Sequence, residues 1–581
     1  MATIKDLPTE LIDIILGNDI SIEDVINFKS TCRQFWLAPP YKKDWEKKFS
    51  KRWPSAKKLH DKKSKEKQES ARNEKNNEES LSFIEAGTNC VKQLRNVVSK
   101  LINNCNDSYL IDNFTSFEHV FHLKDKHLND MITKPENFMT SSFFVDEMKH
   151  MLTQSLRRPD CDLTKRYCIK NMFCYLRQHS TREKWEIFKK QPQREQLLER
   201  CATIFAQWLQ PEKDIFFSKV KTSLNNVTQG ALKCLAEKHP DHPIFLTSSE
   251  IFSYWENNNI DNNYWNETEG TKIMDTLQEY IFDKLHFLPN KSKDSKLEYI
   301  CIDNVLENKY GQKIILSIIY HSVARRLGLR CDVIKLSTYT FDTLICIFWK
   351  PNYTTIGLEN ARCFNIISAK FPDCIDNKLS LCRKLYPAHE SILTIPAEEM
   401  MLDMLEILVN MKNWYNKTLM IMPREMIMLH HFTNENVVIF FIKNTEQSIN
   451  TRSEEKFAVG MIVNCNQPTL KCFKGVIIGW CRYMDRNNIH FDTSKIFNPI
   501  LPLKIYSNFS AIKQQTNYLI LTEKDEMCYA GENSLTLTTG RIENSEIGRY
   551  FSKYEETHYV PNQNLAKKYP QDAAVTAKTT I

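Results

Sequence analysis

Residues Asn304–Leu329 read NVLENKYGQKIILSIIYHSVARRLGL. Beyond Gly311, the apolar residues Ile315, Ile318, Ile319, Val323 and Leu327 recur at the i, i+3/i+4 spacing that turns one face of a helix toward a core. Arg325 and Arg326 fall on the other side. Helical apolar spacing leads up to this stretch from Ala231 and through TKIMDTLQEYIFDKLHFLP, and β-branched and aromatic runs follow it at Val333–Trp349 and Cys363–Ile367. A helical return, EEMMLDMLEILVNMKNWY, closes the segment at Glu398–Tyr415, and its Met and Leu stripe suits core packing. Helices before and after a small group of strands predict an α/β core inside a multi-domain α+β chain.

The string G-x-x-I-x-L-S-x-I-Y-x-x-V-A-R-R-L-G-L within this stretch resembles the core helix of the transglutaminase-like superfamily. Active members open that helix with a cysteine, because the positive end of the helix dipole stabilises a thiolate. Counting back from Arg325 and Gly328 puts the cysteine position at Lys313, and Gln312–Ser317 contains no cysteine. The resemblance also implies a histidine on the next strand and an aspartate on the one after. Asp332–Trp349 has no histidine, and Arg362–Ala369 offers Asn365 where the aspartate is expected. Ser317 reads as a small packing residue, since a hydroxyl without a base is a weak nucleophile. The core is therefore expected to be non-catalytic, with degenerate triad positions at Lys313 and Asn365 and no cofactor. The opposing reading brings a thiol from elsewhere, Cys301 or Cys331, to an imidazole such as His321. Cys301 precedes the helix and Cys331 follows it, so neither opens it.

With 581 residues the chain is long enough for three or four domains with sizeable cores. Its 78 basic and 71 acidic residues leave a net charge of +7, a weak argument for a nucleic-acid partner. The 18 cysteines include no C-x-x-C pair and often sit inside apolar runs such as LICIFW at Leu344–Trp349, which fits reduced, buried thiols. Met1–Leu16 reads as a polar, acid-containing helix and not as a secretory leader, so a cytoplasmic or nuclear setting is expected. Cys161, Cys168, Cys174 and His179 come nearest to a metal cluster, but their spacing matches no zinc pattern. Apolar runs fall short of the ~18 residues that span a bilayer.

The N-terminal segment DLPTELIDIILGNDISIEDVINFKSTCRQFWLAPPYKKDWEKKF carries three helical patterns. Pro8 suits a first helical turn, with Leu7, Leu11, Ile14 and Ile15 as a stripe behind it. Ser21 followed by Asp24 starts a second helix holding Val25 and Phe28, and Cys32, Phe35, Trp36 and Trp45 mark a third. A unit this small is mostly surface and cannot bury that stripe by itself, so part of it must dock elsewhere. The pattern resembles an F-box, the module that binds the adaptor subunit of cullin–RING ubiquitin ligases. The resemblance carries Leu7, Pro8, Leu11, Ile15 and Val25 to the adaptor contact, with Cys32, Arg33 and Trp36 matching its third helix. The partners it implies are that adaptor, the cullin scaffold behind it, and target proteins.

Ser55–Ser80 has eight basic and six acidic residues and almost no large apolar group, which predicts a charged linker or a solvated helix. Its basic run from Lys57 to Lys67 also fits a nuclear import signal, although a solvated spacer is the simpler reading. A helical region follows over 81–235 without a fixed repeat, then the core with flanking helices over 236–450. From Lys456, KFAVGMIVNC, FKGVIIGW and NYLILTE alternate as short strands. Together with YAGENSL and the tail HYVPN, they resemble the YccV/HspQ family, a small β-barrel also described as hemimethylated-DNA-binding. Asn464 and Cys465 replace the basic residue and histidine that bacterial relatives carry there. Residues 451–570 hold 15 basic and 12 acidic residues, too even for an obvious phosphate-binding stripe. Trp480, Tyr483, Tyr518 and Tyr529 have the faces to stack bases, but aromatics among strands more often form a core or a protein-binding face. The chain thus divides into an F-box at 1–54, the linker, the helical region, a transglutaminase-like core, a YccV-like barrel at 451–572 and a tail at 573–581. The function this order implies is a substrate receptor of a ubiquitin ligase. A DNA-binding receptor acting through the barrel is the alternative.

Overall fold

The computed structural model describes residues 8, 11, 31, 50–70, 76–107, 138–156, 158, 161–290, 296–337, 343–354, 360–366, 373–374, 395–410, 455–465, 473–481, 503–505, 516–523 and 527–579. They divide into two units, Met1–Leu176 with Val438–Ile581 and Arg177–Val437.

The first unit opens with α1 (Pro54–Ser70), α2 (Asn76–Asp107), α3 (Phe138–Thr153) and the part of α4 (Leu163–Lys189) that ends at Leu176. Trp53, Phe83, Leu94, Phe143, Phe144, Met148 and Phe173 form its helical core. Asp146 pins the first turn of α1, where its Oδ2 accepts from the Ser55 amide at 2.8 Å and the Ala56 amide at 3.1 Å. Beyond that turn Lys58, Asp61, Lys62 and Lys65 are exposed, while His60 lies against Phe83 with ring centroids 5.1 Å apart.

The second unit is built around the helix that the opening stretch predicts. Helices α5 (Leu198–Leu209), α6 (Phe217–Lys238), α7 (Ser249–Asn257), α8 (Glu267–Gln278) and α9 (Ile302–Asn308) pack about α10 (Lys313–Arg326). A four-stranded antiparallel sheet, β1 (Asp332–Ser337), β2 (Thr343–Trp349), β3 (Arg362–Asn365) and β4 (Asp373–Cys374), runs in the order of the chain, and β1 and β2 pack on α10. The run Val333–Trp349 is thus two strands paired from Asp332 with Phe348 to Ser337 with Thr343. Helix α11 (Ala397–Asn410) packs on α5.

Every residue from Ile314 to Arg326 is buried. The expectation that Arg325 and Arg326 lie on a side away from the core is therefore corrected, because helices α5, α6 and α7 cover that side as the sheet covers the other. The helix ends at Gly328, whose φ of +76° permits the reversal and whose amide donates to the Arg325 carbonyl at 3.0 Å.

In the first unit, β5 (Ile462–Cys465), β6 (Phe473–Cys481), β7 (Leu503–Ile505), β8 (Asn517–Thr522), β9 (Met527–Gly531) and β10 (Leu535–Leu537) form one sheet in the order β10-β5-β6-β8-β9-β7. The expected barrel is not closed among the described residues. Its edges are the three-residue strands β7 and β10, too short to supply much of a closing ladder. A separate hairpin joins β11 (Phe551–Glu555) to β12 (His558–Pro561).

Candidate functional site

Helix α10 carries two sites of interest, one at each end. At its start, Lys313, the residue expected at the nucleophile position, is the first helical residue after the N-cap Gln312, so an ammonium side chain opens the helix. One turn on, Ser317 is buried and its Oγ has no hydrogen-bond partner. Asn365 on β3 is 1% exposed, and neither its amide oxygen nor its amide nitrogen has a partner. Directly across from Asn365, in register, is Cys346 on β2. The residue paired with Asn365, where a carboxylate is expected, is thus a buried thiol.

Cys301 and Cys331 do not restore a nucleophile. Burial pushes both thiols up, well above the ordinary range, which keeps them protonated. Cys331 does meet His321, but through its backbone: the imidazole Nδ1 lies 2.5 Å from the Cys331 carbonyl oxygen.

The other half of α10 holds a buried ionic network. Glu199 Oε1 accepts from Arg325 Nη2 and, at 2.9 Å, from Arg326 Nη1, while its Oε2 accepts from Ser322 Oγ at 2.9 Å. Burial alone would push the Glu199 carboxyl up, but the two guanidiniums outweigh it and hold the group at about 2. Burial lowers Arg325 to about 10 against the pull of Glu199, so this guanidinium and the carboxylate are both charged at neutral pH. Arg325 is also held by the Trp255 carbonyl and, at 3.0 Å, by the Asn258 carbonyl. Arg326 Nε donates to Asn225 Oδ1 at 3.0 Å.

Beside this network is a cleft of ≈ 480 Å3 lined in part by His321, Arg325, Asn259, Arg330, Asp332 and Glu398. His321 and Lys313 are eight residues apart on α10, which at 1.5 Å per residue separates the cleft from the helix start by roughly 12 Å. Sequence reading missed this site. Its signal is Glu199, an acid set among the core residues Leu197, Leu198, Cys201 and Ala202, which calls for a buried cation.

Of the residues expected at the adaptor contact, Pro8 and Leu11 are described. Both are exposed, Leu11 at 46%, and the Leu11 amide donates to the Pro8 carbonyl at 3.1 Å as a first helical turn requires. Leu7, Ile15, Val25, Cys32, Arg33 and Trp36 lie outside the described residues. In the C-terminal sheet, Trp480 and Tyr518 are core residues. Trp480 Nε1 donates to Asp572 Oδ2 at 2.8 Å, and Tyr518 Oη donates to Glu532 Oε2 at 2.8 Å. Tyr483 and the side chain of Tyr529 lie outside the described residues. Among the described residues no group of three His, Cys, Asp or Glu side chains is placed to hold a metal ion, and no helix is long and apolar enough to cross a membrane.

Residues 256–348, which take in the buried helix α10 and strand β1, match the family model described as transglutaminase-like superfamily. Residues 455–558 match the model described as hemimethylated DNA-binding protein YccV like. Over 98% of its length the chain is similar to F-box only protein 21 of Homo sapiens, with 21% identity and 92% of that protein covered. The Mus musculus protein of the same name is 22% identical over 74% of each chain. No solved structure matches.

Proposed function

We propose that this chain is the substrate-recognition subunit of an SCF-type cullin–RING ubiquitin ligase. Its N-terminal helices hold the ligase adaptor, and its core and C-terminal sheet present target proteins. The observation that supports this best is the similarity to F-box only protein 21 over 98% of the chain, together with the F-box pattern from Leu7 to Trp36. The exposure of Leu11 is consistent with it, since an apolar anchor left in solvent gains when a partner covers it.

In this reading the transglutaminase-like core is a scaffold. Lys313 at the helix start, Cys346 across from Asn365 and the protonated state of Cys301 and Cys331 all argue against thiol chemistry. What the subunit contributes is positioning: tethering a target beside the ubiquitin-charged enzyme raises their effective concentration without any reacting group on this chain. The DNA-binding alternative loses two of its stacking candidates, because Trp480 and Tyr518 are buried.

Co-purification with the ligase adaptor tests the proposal. The intact chain should retain the adaptor, and Leu7→Ala with Pro8→Ala should abolish retention. Leu11→Ala alone should cost ~2 kcal/mol, weakening binding tens of fold. Retention unchanged by these substitutions would refute the assignment of the N-terminal segment.

A further inference from the structure

We propose that the cleft beside the C-terminal half of α10 binds an uncharged amide group of a polypeptide, its carbonyl received by Arg325 and its N–H groups by His321 and Asn259. Three buried polar atoms on residues that line this cleft have no hydrogen-bond partner: His321 Nε2, Arg325 Nε and Asn259 Oδ1. His321 and Arg325 are 8% and 1% exposed. Being four residues apart, they are neighbours on one face of α10. The bond from Arg325 to the Asn258 carbonyl brings Asn259 alongside.

The chemistry of each atom is fixed by what its neighbours do. The Cys331 carbonyl can only accept, so His321 Nδ1 carries the hydrogen, and burial keeps the ring from taking a second one. Nε2 is then an acceptor. Asn259 Nδ2 donates to the Gln193 and Gln196 carbonyls, which identifies the unpartnered atom as the acceptor oxygen. Arg325 Nε is a donor. Two acceptors and one donor are the complement of an amide, which offers a carbonyl oxygen and one or two N–H groups. A carboxylate has no N–H for the acceptors, and an ammonium has no acceptor for Arg325.

Charge agrees with this choice. Arg194, Arg325 and Arg330 are matched along the cleft by Asp261, Asp332 and Glu398, and Arg330 is tied to Asp332 by two contacts of 3.1 Å. The lining therefore gives neither sign of ligand an advantage. The site also lies at the opposite end of the helix from Lys313, so it owes nothing to the position of a lost nucleophile.

As a place where target chains engage, the cleft rests on the receptor reading above. The test contains no adaptor, so its failure is separate from failure of the adaptor assay. The full chain, with 15N-labelled histidine rings, is titrated with the blocked asparagine N-acetylasparagine N-methylamide and with its alanine and aspartate counterparts. The His321 resonance is assigned with His321→Phe or, should that variant not fold, His321→Gln. The asparagine compound should move the His321 Nε2 signal and bind at least about ten-fold more tightly than the aspartate compound. The alanine compound has only main-chain amides, each with a single N–H for the two acceptors, so it should bind no better than the aspartate compound, and equality of alanine with asparagine would overturn the proposal. No movement of the signal with any of the three, as when a water occupies the three atoms, overturns the proposal, and so does equal binding of the aspartate compound.

Discussion

Glu199 Oε1 lies 2.9 Å from Arg326 Nη1, and both side chains are sealed from solvent, 0% and 3% exposed. With Arg325 on the same oxygen, one carboxylate anchors two guanidiniums inside the second unit. Removing one partner of a buried ion pair leaves the others charged and unsolvated, which costs about 3–5 kcal/mol. Glu199→Gln keeps the shape and deletes the charge, so it should cost that much in urea unfolding of the second unit's transition. A loss under about 1 kcal/mol, the range of exposed pairs, would mean that water reaches the network.

Acid should weaken the second unit in two separate windows. Burial lowers His321, which faces Arg325, Glu199, Asp332 and the Cys331 carbonyl, and burial lowers His242, which faces Glu269, Lys272 and His239. A histidine depressed in the fold is neutral there while the unfolded chain takes up protons near 6.5, so its contribution is complete above that pH and is lost as pH falls below it. Glu199, held at about 2, contributes fully above the unfolded carboxyl value near 4.5, and that contribution is lost as pH falls from there toward 2. Thermal melts between pH 7.5 and 3 should therefore show a first decline just below pH 6.5 and a second below pH 4.5. A single decline confined to the lower window would show that neither imidazole is buried neutral.

The sequence made one face of α10 readable and hid the other. Ile315, Ile318, Ile319 and Val323 announce a core-facing stripe, and all four are buried. Arg325 and Arg326 look like the solvent side because periodicity within one helix carries no information about a second layer of helices. Their partner Glu199 is more than a hundred residues away, at the start of α5, and nothing local links them. Lys313 and Asn365 were offered by the sequence as expected triad positions, whereas Cys346 as the residue facing Asn365 depends on strand register, which the seventeen-residue β-branched and aromatic run Val333–Trp349 does not specify. The cleft was illegible for the same reason as the ionic network, since α5, α7, α10, β1 and α11 or their adjoining loops all contribute to it.

Gly328 should resist substitution. Its φ is +76°, and a Cβ there would lie 2.8 Å from the Trp255 ring and 2.9 Å from Trp265 Nε1. Trp265 cannot easily retreat, because its Nε1 donates to the Leu327 carbonyl at 2.6 Å. Gly328→Ala combines a left-handed backbone cost of roughly 1–2 kcal/mol with overpacking of roughly 1–3 kcal/mol. A loss of about 2–4 kcal/mol in urea unfolding is expected. A change below about 0.5 kcal/mol, typical of surface sites, would show that the helix end can rearrange.

Thiol chemistry offers the sharpest check on the non-catalytic core. Burial raises Cys201, Cys301 and Cys331, so in the native chain each should react with iodoacetamide far more slowly than the same cysteine in urea. Lys313→Cys places a new thiol at the first residue of α10, half-buried at a helix N-terminus, and that thiol should alkylate fastest of the four. It should nevertheless transfer no acyl group to a labelled amine, because Cys346 and Asn365 supply neither an imidazole base nor a carboxylate to orient one. Mass spectrometry of the alkylated peptides measures the first expectation and amine incorporation into a glutamine-bearing protein measures the second. Amine incorporation by the native chain, or by Lys313→Cys alone, would show that a base reaches the helix start from a residue outside β2 and β3, and the scaffold reading of the core would fail.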